Sequence, residues 1–306
     1  MTPVLHCEGL GHRYGRRTWG LRDATLQVPP GRVVALVGPN GSGKTTLLHM
    51  AAGLLPPTAG TVQIAGAAPV RRLDRIGFVA QDAPLWPRMR VAEILESGRR
   101  LNPRFDAALA ADRTARLEIP PRARIGTLSG GQRAQVALTL VLAKRPELLL
   151  LDEPLANLDP LARREFLSSM FEACTESGAA VLFSSHVVAE LERICDHLIV
   201  LRGGRVRLAG DIDDLRQNHR IITGPTGWSD AGGWQVINAR SAAGRTTALV
   251  RSQAGAGPGQ PGPALARPAL TGPGLDETQP TFDELVLGYL DEQRPSQHGG
   301  QREAVA

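Results

Sequence analysis

An α/β fold organised around a phosphate-binding turn is predicted for this 306-residue chain by three features. Residues 33 to 46, Val-Val-Ala-Leu-Val-Gly-Pro-Asn-Gly-Ser-Gly-Lys-Thr-Thr, run from an apolar strand through a glycine-rich loop into a helix. Leu148 to Leu151, followed by Asp152 and Glu153, and the later run Ala179 to Ser185 read as strands buried on both faces, as in parallel sheets. Residues from about 82 to 145 are rich in helix formers and read as a helical subdomain inserted into that α/β core.

The glycine-rich loop carries the most specific chemistry. Gly38, four intervening residues (Pro39, Asn40, Gly41, Ser42), then Gly43, Lys44 and Thr45 fit a phosphate-binding loop, whose backbone N–H groups turn inward around phosphate oxygens. The helix expected from Thr45 to Gly53, with Thr46 in its first turn, points its positive dipole end at the same anion. Lys44 is placed to reach the outer phosphates, and the Thr45 hydroxyl to hold Mg²⁺. This motif says nucleoside triphosphate and leaves the reaction open.

Composition narrows the class. The chain is long enough for about two domains, and 42% hydrophobic content is ample for a core. The formal charge of +5 comes from arginine, since Lys44 and Lys144 are the only lysines among 35 basic residues. No basic block with interleaved aromatics accompanies it, so no nucleic-acid partner is expected. Cys7, Cys174 and Cys195 lack metal spacing and suit reduced, buried thiols. No apolar run reaches the 18 or so residues of a membrane span, and the N-terminus lacks a signal pattern, so a membrane role would act through a partner.

In chain order, Val4 to Leu10 and Leu21 to Val28 read as strands around a turn that holds Tyr14, an aromatic able to stack on a base, with Trp19 as a rival. Thr61 to Ala65 and Arg75 to Ala80 read as strands, the second ending at Gln81. Helices are expected over Val91 to Arg100 and Phe105 to Leu117. Thr127 to Arg133 opens a long helix to Lys144, and Ser129, Gly130 and Gly131 make either an N-cap or a second anion-binding helix end. Asp152 and Glu153 fall at the tip of their strand, where open α/β sheets bind ligands. Asp159 precedes a helix starting at Pro160, and His186 stands just past a strand end. His197 to Ala209 reads as a hairpin turning at Gly203-Gly204.

Beyond about residue 211 the character changes. A short helix over Asp211 to Asn218, a small hairpin (Trp234 to Arg240, Thr246 to Arg251) and a Pro/Gly-rich linker are expected. Thr281 and Glu284 form a capping box ahead of Phe282, Leu285, Val286, Tyr289 and Leu290, an apolar stripe that must dock on its own domain or on a partner. The expected organisation is therefore a nucleotide-binding domain over 1–215, with its helical subdomain at about 82–145. A 216–253 β region, a 254–280 linker, a 281–293 amphipathic helix and a disordered 294–306 tail follow.

The loop at 38–46, Gln81, Leu128-Ser-Gly-Gly-Gln132, Leu148 to Glu153, Leu158-Asp159 and His186 occur in one order, and in this the chain resembles ABC-type ATPases over about residues 1 to 215. The resemblance implies an α/β P-loop core with an N-terminal antiparallel β subdomain, the inserted helical subdomain and a small C-terminal accessory region. It implies ATP and Mg²⁺ as ligands, with residues 38–46 on the phosphates, Tyr14 on adenine and Gln81 sensing Mg²⁺ and water. Asp152 would hold Mg²⁺ through water, Glu153 act as general base and His186 contact the γ-phosphate. Ser129, Gly130, Gly131 and Gln132 would act in trans on the nucleotide of a second subunit, with Asp159 between the two sites. Asn157 departs from the family pattern, which often has a smaller residue there.

The segment Pro280 to Leu287 resembles the closing segment of ATPases that serve bacterial two-component exporters. The expectation is an ATP-hydrolysing motor subunit, a homodimer or heterodimer bound to an integral membrane permease on a separate chain, cytoplasmic and peripheral on the inner face of the membrane. An importer ATPase is the alternative within transport. A soluble ABC protein of translation or DNA repair would carry two cassettes or coiled-coil insertions, and a kinase or GTPase would have no use for residues 128 to 132.

Overall fold

The computed structural model describes residues 2–15, 17–185, 191–226, 234–252 and 274–291. His186, residues 253–273 and residues 292–306 lie outside them, and with them the readings of a γ-phosphate contact, of most of the linker and of the tail. Contacts divide the chain into two compact units, Met1–Ile212 and Asp213–Ala306.

The first unit begins with β1 (Leu5–Tyr14) and β2 (Thr18–Val28), which pair antiparallel, with β4 (Ala59–Ile64) on the other side of β1. Both strands of the first pair outrun the sequence expectation. Tyr14 is consequently the last strand residue, opposite Thr18, and not a turn residue.

A second sheet has the order β5-β6-β7-β3-β8-β9, from β3 (Val33–Val37), β5 (Ile76–Val79), β6 (Leu148–Asp152), β7 (Ala180–Ser185), β8 (His197–Arg202) and β9 (Arg205–Asp211). Its first five strands run parallel and β9 returns antiparallel. Every residue of β3, β6 and β7 is buried, the burial that their unbroken apolar runs predicted. The register puts Val79 beside Leu151, Asp152 beside Ser184, and Val37 beside Ser185. The chain segments leaving β3, β5, β6 and β7 therefore emerge along one edge of the sheet.

Between the sheets lies α1 (Lys44–Ala51), and Leu5, Leu21, Leu36, Leu47, Leu48 and Leu150 meet in one core. Each such leucine contributes about 1.5 to 3 kcal/mol on burial. The helical layer, α2 (Val91–Leu101), α3 (Ala107–Arg116) and α4 (Gly130–Leu142), has its own core around Val91, Ile94, Ile119, Ile125, Leu128 and Val136. Helix α5 (Pro160–Ser177) packs on α4.

The second unit opens within α6 (Ile212–Gln217). Its sheet has the order β11-β12-β10-β13, from β10 (His219–Pro225), β11 (Trp234–Ala242), β12 (Arg245–Ser252) and β13 (Asp276–Thr278). The expected hairpin is β11 and β12, whereas β10 and β13 are additions, and β13 falls inside the stretch read as linker. Helix α7 (Phe282–Leu290) is capped by Thr281 as its sequence predicted and contacts β11 and β12. Phe282, Leu285, Val286 and Tyr289 are buried, so the apolar stripe docks on its own unit.

Candidate functional site

At the carboxyl edge of the parallel sheet the loop from Gly38 to Gly43 joins β3 to α1. Its turn is closed by Ser42 N–H donating to the Pro39 carbonyl at 3.1 Å. Gly43, the N-cap of α1, has φ +104°, and a Cβ there would stand 2.5 Å from the Gly20 carbonyl oxygen, so the position accepts glycine alone. Pro39, Asn40 and Gly41 form the exposed crest of the loop, and Thr45 is exposed beside it. The Ser42 hydroxyl is buried without a hydrogen-bond partner among the described residues. A buried, unpartnered hydroxyl in a glycine-rich turn that leads into a helix N-terminus fits a phosphate.

Lys44 is buried, with its ammonium donating to the Gly38 carbonyl at 2.7 Å and to Pro39 at 3.4 Å. Glu153 Oε1 lies 3.2 Å from the same nitrogen. Thus the loop after β6 reaches the loop after β3 across the edge of the intervening β7. Glu153 has φ +45°, an uncommon backbone for a carboxylate residue, and is held there by its N–H donating to Ser184 Oγ at 2.9 Å. The Ser184 hydroxyl in turn donates to Asp152 Oδ1 at 2.9 Å.

Ser184 was not among the sequence candidates. Its signal was present as a polar residue ending an otherwise apolar strand, but only the parallel register sets it beside Asp152. Among the described residues no group of three His, Cys, Asp or Glu side chains could hold a metal. A Mg²⁺ here would take the Thr45 hydroxyl, Asp152 through water, and phosphate oxygens, the oxygen-rich and partly hydrated set this ion favours.

Tyr14 sits against the first turn of α1, its hydroxyl 3.2 Å from Thr46 Oγ1 and its ring edge-on to His12, and it is 48% exposed. Trp19, the rival aromatic, is covered by the Arg13 and Arg22 guanidiniums at 5.6 and 5.7 Å from its ring. Gln81 is exposed two residues past the end of β5. Ser129 caps α4, accepting from Gln132 N–H at 3.1 Å while Gln132 Oε1 accepts from Ser129 N–H. Gly130 and Gly131 complete that first turn. Asp159 caps α5 through Leu161 and Ala162 N–H. Gly130 and Glu153 line one cavity of about 310 Å³, together with Asp82, Ala83, Arg133 and Asn157.

A phosphate loop, a carboxylate pair at the tip of β6, and a capped glycine helix end define a nucleotide-hydrolysing P-loop cassette. The family model described as ABC transporter matches residues 21–156, and that described as AAA domain, putative AbiEii toxin, Type IV TA system, matches residues 124–192. The uncharacterized ABC transporter ATP-binding protein YxlF of Bacillus subtilis is 34% identical over 224 residues, 71% of this chain and 74% of the relative. The phosphonates import ATP-binding protein PhnC 1 of Rhodopseudomonas palustris is 33% identical over 248 residues, 74% of this chain and 89% of the relative. Nod factor export ATP-binding protein I of Cupriavidus metallidurans is 37% identical over 230 residues, 70% and 73% respectively. A solved ATP-binding subunit of an ABC transporter superposes with a TM-score of 0.63 at 29% identity, covering 70% of this chain and 92% of that one. The chain belongs to the ABC transporter ATP-binding proteins, whose cassettes bind and hydrolyse ATP.

Proposed function

We propose that this chain is the motor subunit of a two-component exporter, coupling ATP-driven closure of two cassettes to a permease carried on another chain. The observation that carries the coupling is a groove of about 390 Å³ in the first unit, lined by Leu54, Leu73, Phe78, Trp86, Ile94 and Leu101. Trp86 is 68% exposed and Leu101 80%, an apolar patch of the kind that receives a partner. No helix among the described residues is long and apolar enough to cross a membrane. The partner in this reading is an integral membrane protein presenting a cytoplasmic helix to that groove.

In the site, Lys44 and the amides of residues 38–46 bind the phosphates, Tyr14 packs on the base, and Thr45 and Asp152 hold Mg²⁺, which neutralises charge developing on the phosphates. Glu153 accepts the proton of the attacking water, and Gln81 orients that water. Each α4 helix end, with Ser129 to Gln132, faces the γ-phosphate held by the opposite cassette, and Asp159 lies at the seam. His186 completes the γ-phosphate contacts in this assignment.

Export is favoured by the Pro280 to Leu287 segment and by the Nod factor export relatives, while relatives named for import support the opposite direction. The deciding experiment isolates the membrane protein that co-purifies with the chain and reconstitutes both in vesicles with the cassettes outside. ATP added outside should drive cargo into the lumen if the pair exports. ATP-driven release of cargo from the lumen, dependent on the same groove, would make the pair an importer.

A further inference from the structure

Two loops that leave neighbouring strands are joined by one side-chain contact that the site chemistry does not use. Strands β5 and β6 pair with Val79 beside Leu151, and the segments beyond them carry Gln81-Asp82 and Glu153 to Asn157. Asn157 Nδ2 donates to Asp82 Oδ1 across the cavity that Glu153 also lines.

Each loop is a run of tight turns. Ala83 N–H bonds Ala80 and Leu85 N–H bonds Ala83 on one side, while Ala156 N–H bonds Glu153 and Leu158 N–H bonds Leu155 on the other. Asp82 and Ala83 have φ of +65° and +42°. Two successive left-handed residues without glycine cost more than one exposed hydrogen bond returns, so simple stabilisation does not account for the arrangement. The contact lies between two stiff segments, one leading to Trp86 in the groove and the other starting at the carboxylate.

We propose that the Asn157–Asp82 hydrogen bond is a positioning contact that passes displacement of the groove-side loop to Glu153. The inference rests on the proposed function for the meaning of its two ends. A residue of the Asn157 type is required because a smaller side chain would not span the two loops, and because its amide donates where a carboxylate would repel Asp82.

The test uses the full chain with Asn157→Ala, Asn157→Asp, Asp82→Asn, and the exchange pair of the last two, which restores an amide-to-carboxylate bond in reverse. Two readouts are taken: ATP turnover, and the change in hydrogen exchange of residues 80–90 on adding Mg-ATP. Asn157→Asp should lower kcat about tenfold with KM for ATP little changed, and the exchange pair should recover most of it. The Mg-ATP response of residues 80–90 should vanish in Asn157→Ala and Asn157→Asp and return in the exchange pair.

An exchange pair as defective as Asn157→Asp, or an Asn157→Ala chain matching the unmodified chain in both readouts, would overturn the proposal. Both positions are exposed, so unchanged melting is expected of every variant. If the unmodified chain binds ATP without hydrolysing it, the assigned chemistry is wrong, and the hydrogen-exchange readout still decides the contact.

Discussion

Lys44 Nζ and Glu153 Oε1 stand 3.2 Å apart, with both side chains largely buried, so the two groups to which the proposed function gives the phosphates and the attacking water share one place. Their roles separate under substitution. Glu153→Gln keeps the size and the hydrogen-bonding reach towards Lys44 but removes the basic lone pair that receives a proton. ATP affinity should stay within about threefold while turnover falls about 10² to 10⁴-fold, the usual worth of a general base. Equilibrium ATP binding beside steady-state hydrolysis checks this, and substantial turnover by the variant would remove Glu153 from its role.

The loop itself gives a paired prediction. Gly43 and Gly41 both have positive φ, +104° and +76°, but a Cβ at Gly43 meets the Gly20 carbonyl at 2.5 Å whereas one at Gly41 meets open space. Gly41→Ala should therefore cost only about 1 kcal/mol of backbone strain. Gly43→Ala must displace main chain as well, moving the first amide of α1 off the phosphate. Nucleotide affinity measured for both variants should fall far more in Gly43→Ala; equal losses would contradict the geometry.

Much of this edge was legible before any coordinate. The phosphate loop and the carboxylate tip depend on residues close in sequence, and apolar runs such as Leu148 to Leu151 state their own burial. What escaped depends on partners distant in sequence. Ser184 acquires its place only through the register with Asp152, and Asp82 through Asn157, 75 residues later. Strand β13, Asp276-Glu277-Thr278, is fully exposed and polar, and forms only because β10 offers a free edge, with Arg220 and Arg245 available to its acids. No periodicity could have shown it.

Ser129 caps its own helix, and the same hydroxyl faces outward at the end of α4. Ser129→Ala should cost about 1 kcal/mol through the lost cap. Ser129→Arg should leave the nucleotide affinity of a single cassette nearly unchanged and abolish hydrolysis, because in the proposed assembly the bulk falls on the site of the opposite cassette. Monomer binding by calorimetry against turnover at high protein concentration distinguishes the two; a matching loss of affinity would place the helix end at its own nucleotide.

Trp86 separates coupling from chemistry in the same manner. The residue is 68% exposed, so Trp86→Ala should shift stability by no more than about 0.5 kcal/mol. Basal ATPase of the isolated chain should persist, and stimulation by a co-purifying permease should be lost. Full stimulation in an intact complex would exclude the groove as the docking site.

The second unit carries a pH response of its own, centred on His219. Its Nδ1 lies 2.6 Å from the Leu215 carbonyl and its Nε2 2.8 Å from the Tyr289 hydroxyl. A carbonyl only accepts, so Nδ1 bears the proton, the tyrosine hydroxyl donates to Nε2, and the ring is neutral. Burial pushes its pKa down from 6.5 to about 4, with the Leu215 bond opposing and the Arg251 and Arg220 charges adding to the fall. The unfolded chain therefore binds a proton that the folded unit resists as pH drops from about 6.5 towards 4. Stability contributed by the neutral ring is present above pH 6.5 and is lost on acidification, about 2 kcal/mol of it between pH 7.5 and 5. His219→Gln keeps an amide donor for Leu215 and an acceptor for Tyr289 but cannot titrate, so it should flatten that part of the pH dependence. Denaturant unfolding of the second unit in the full chain, followed through Trp234 at both pH values, measures the difference. Equal acid sensitivity in the two proteins would mean that the acid response arises elsewhere than at the ring joining β10 to α7.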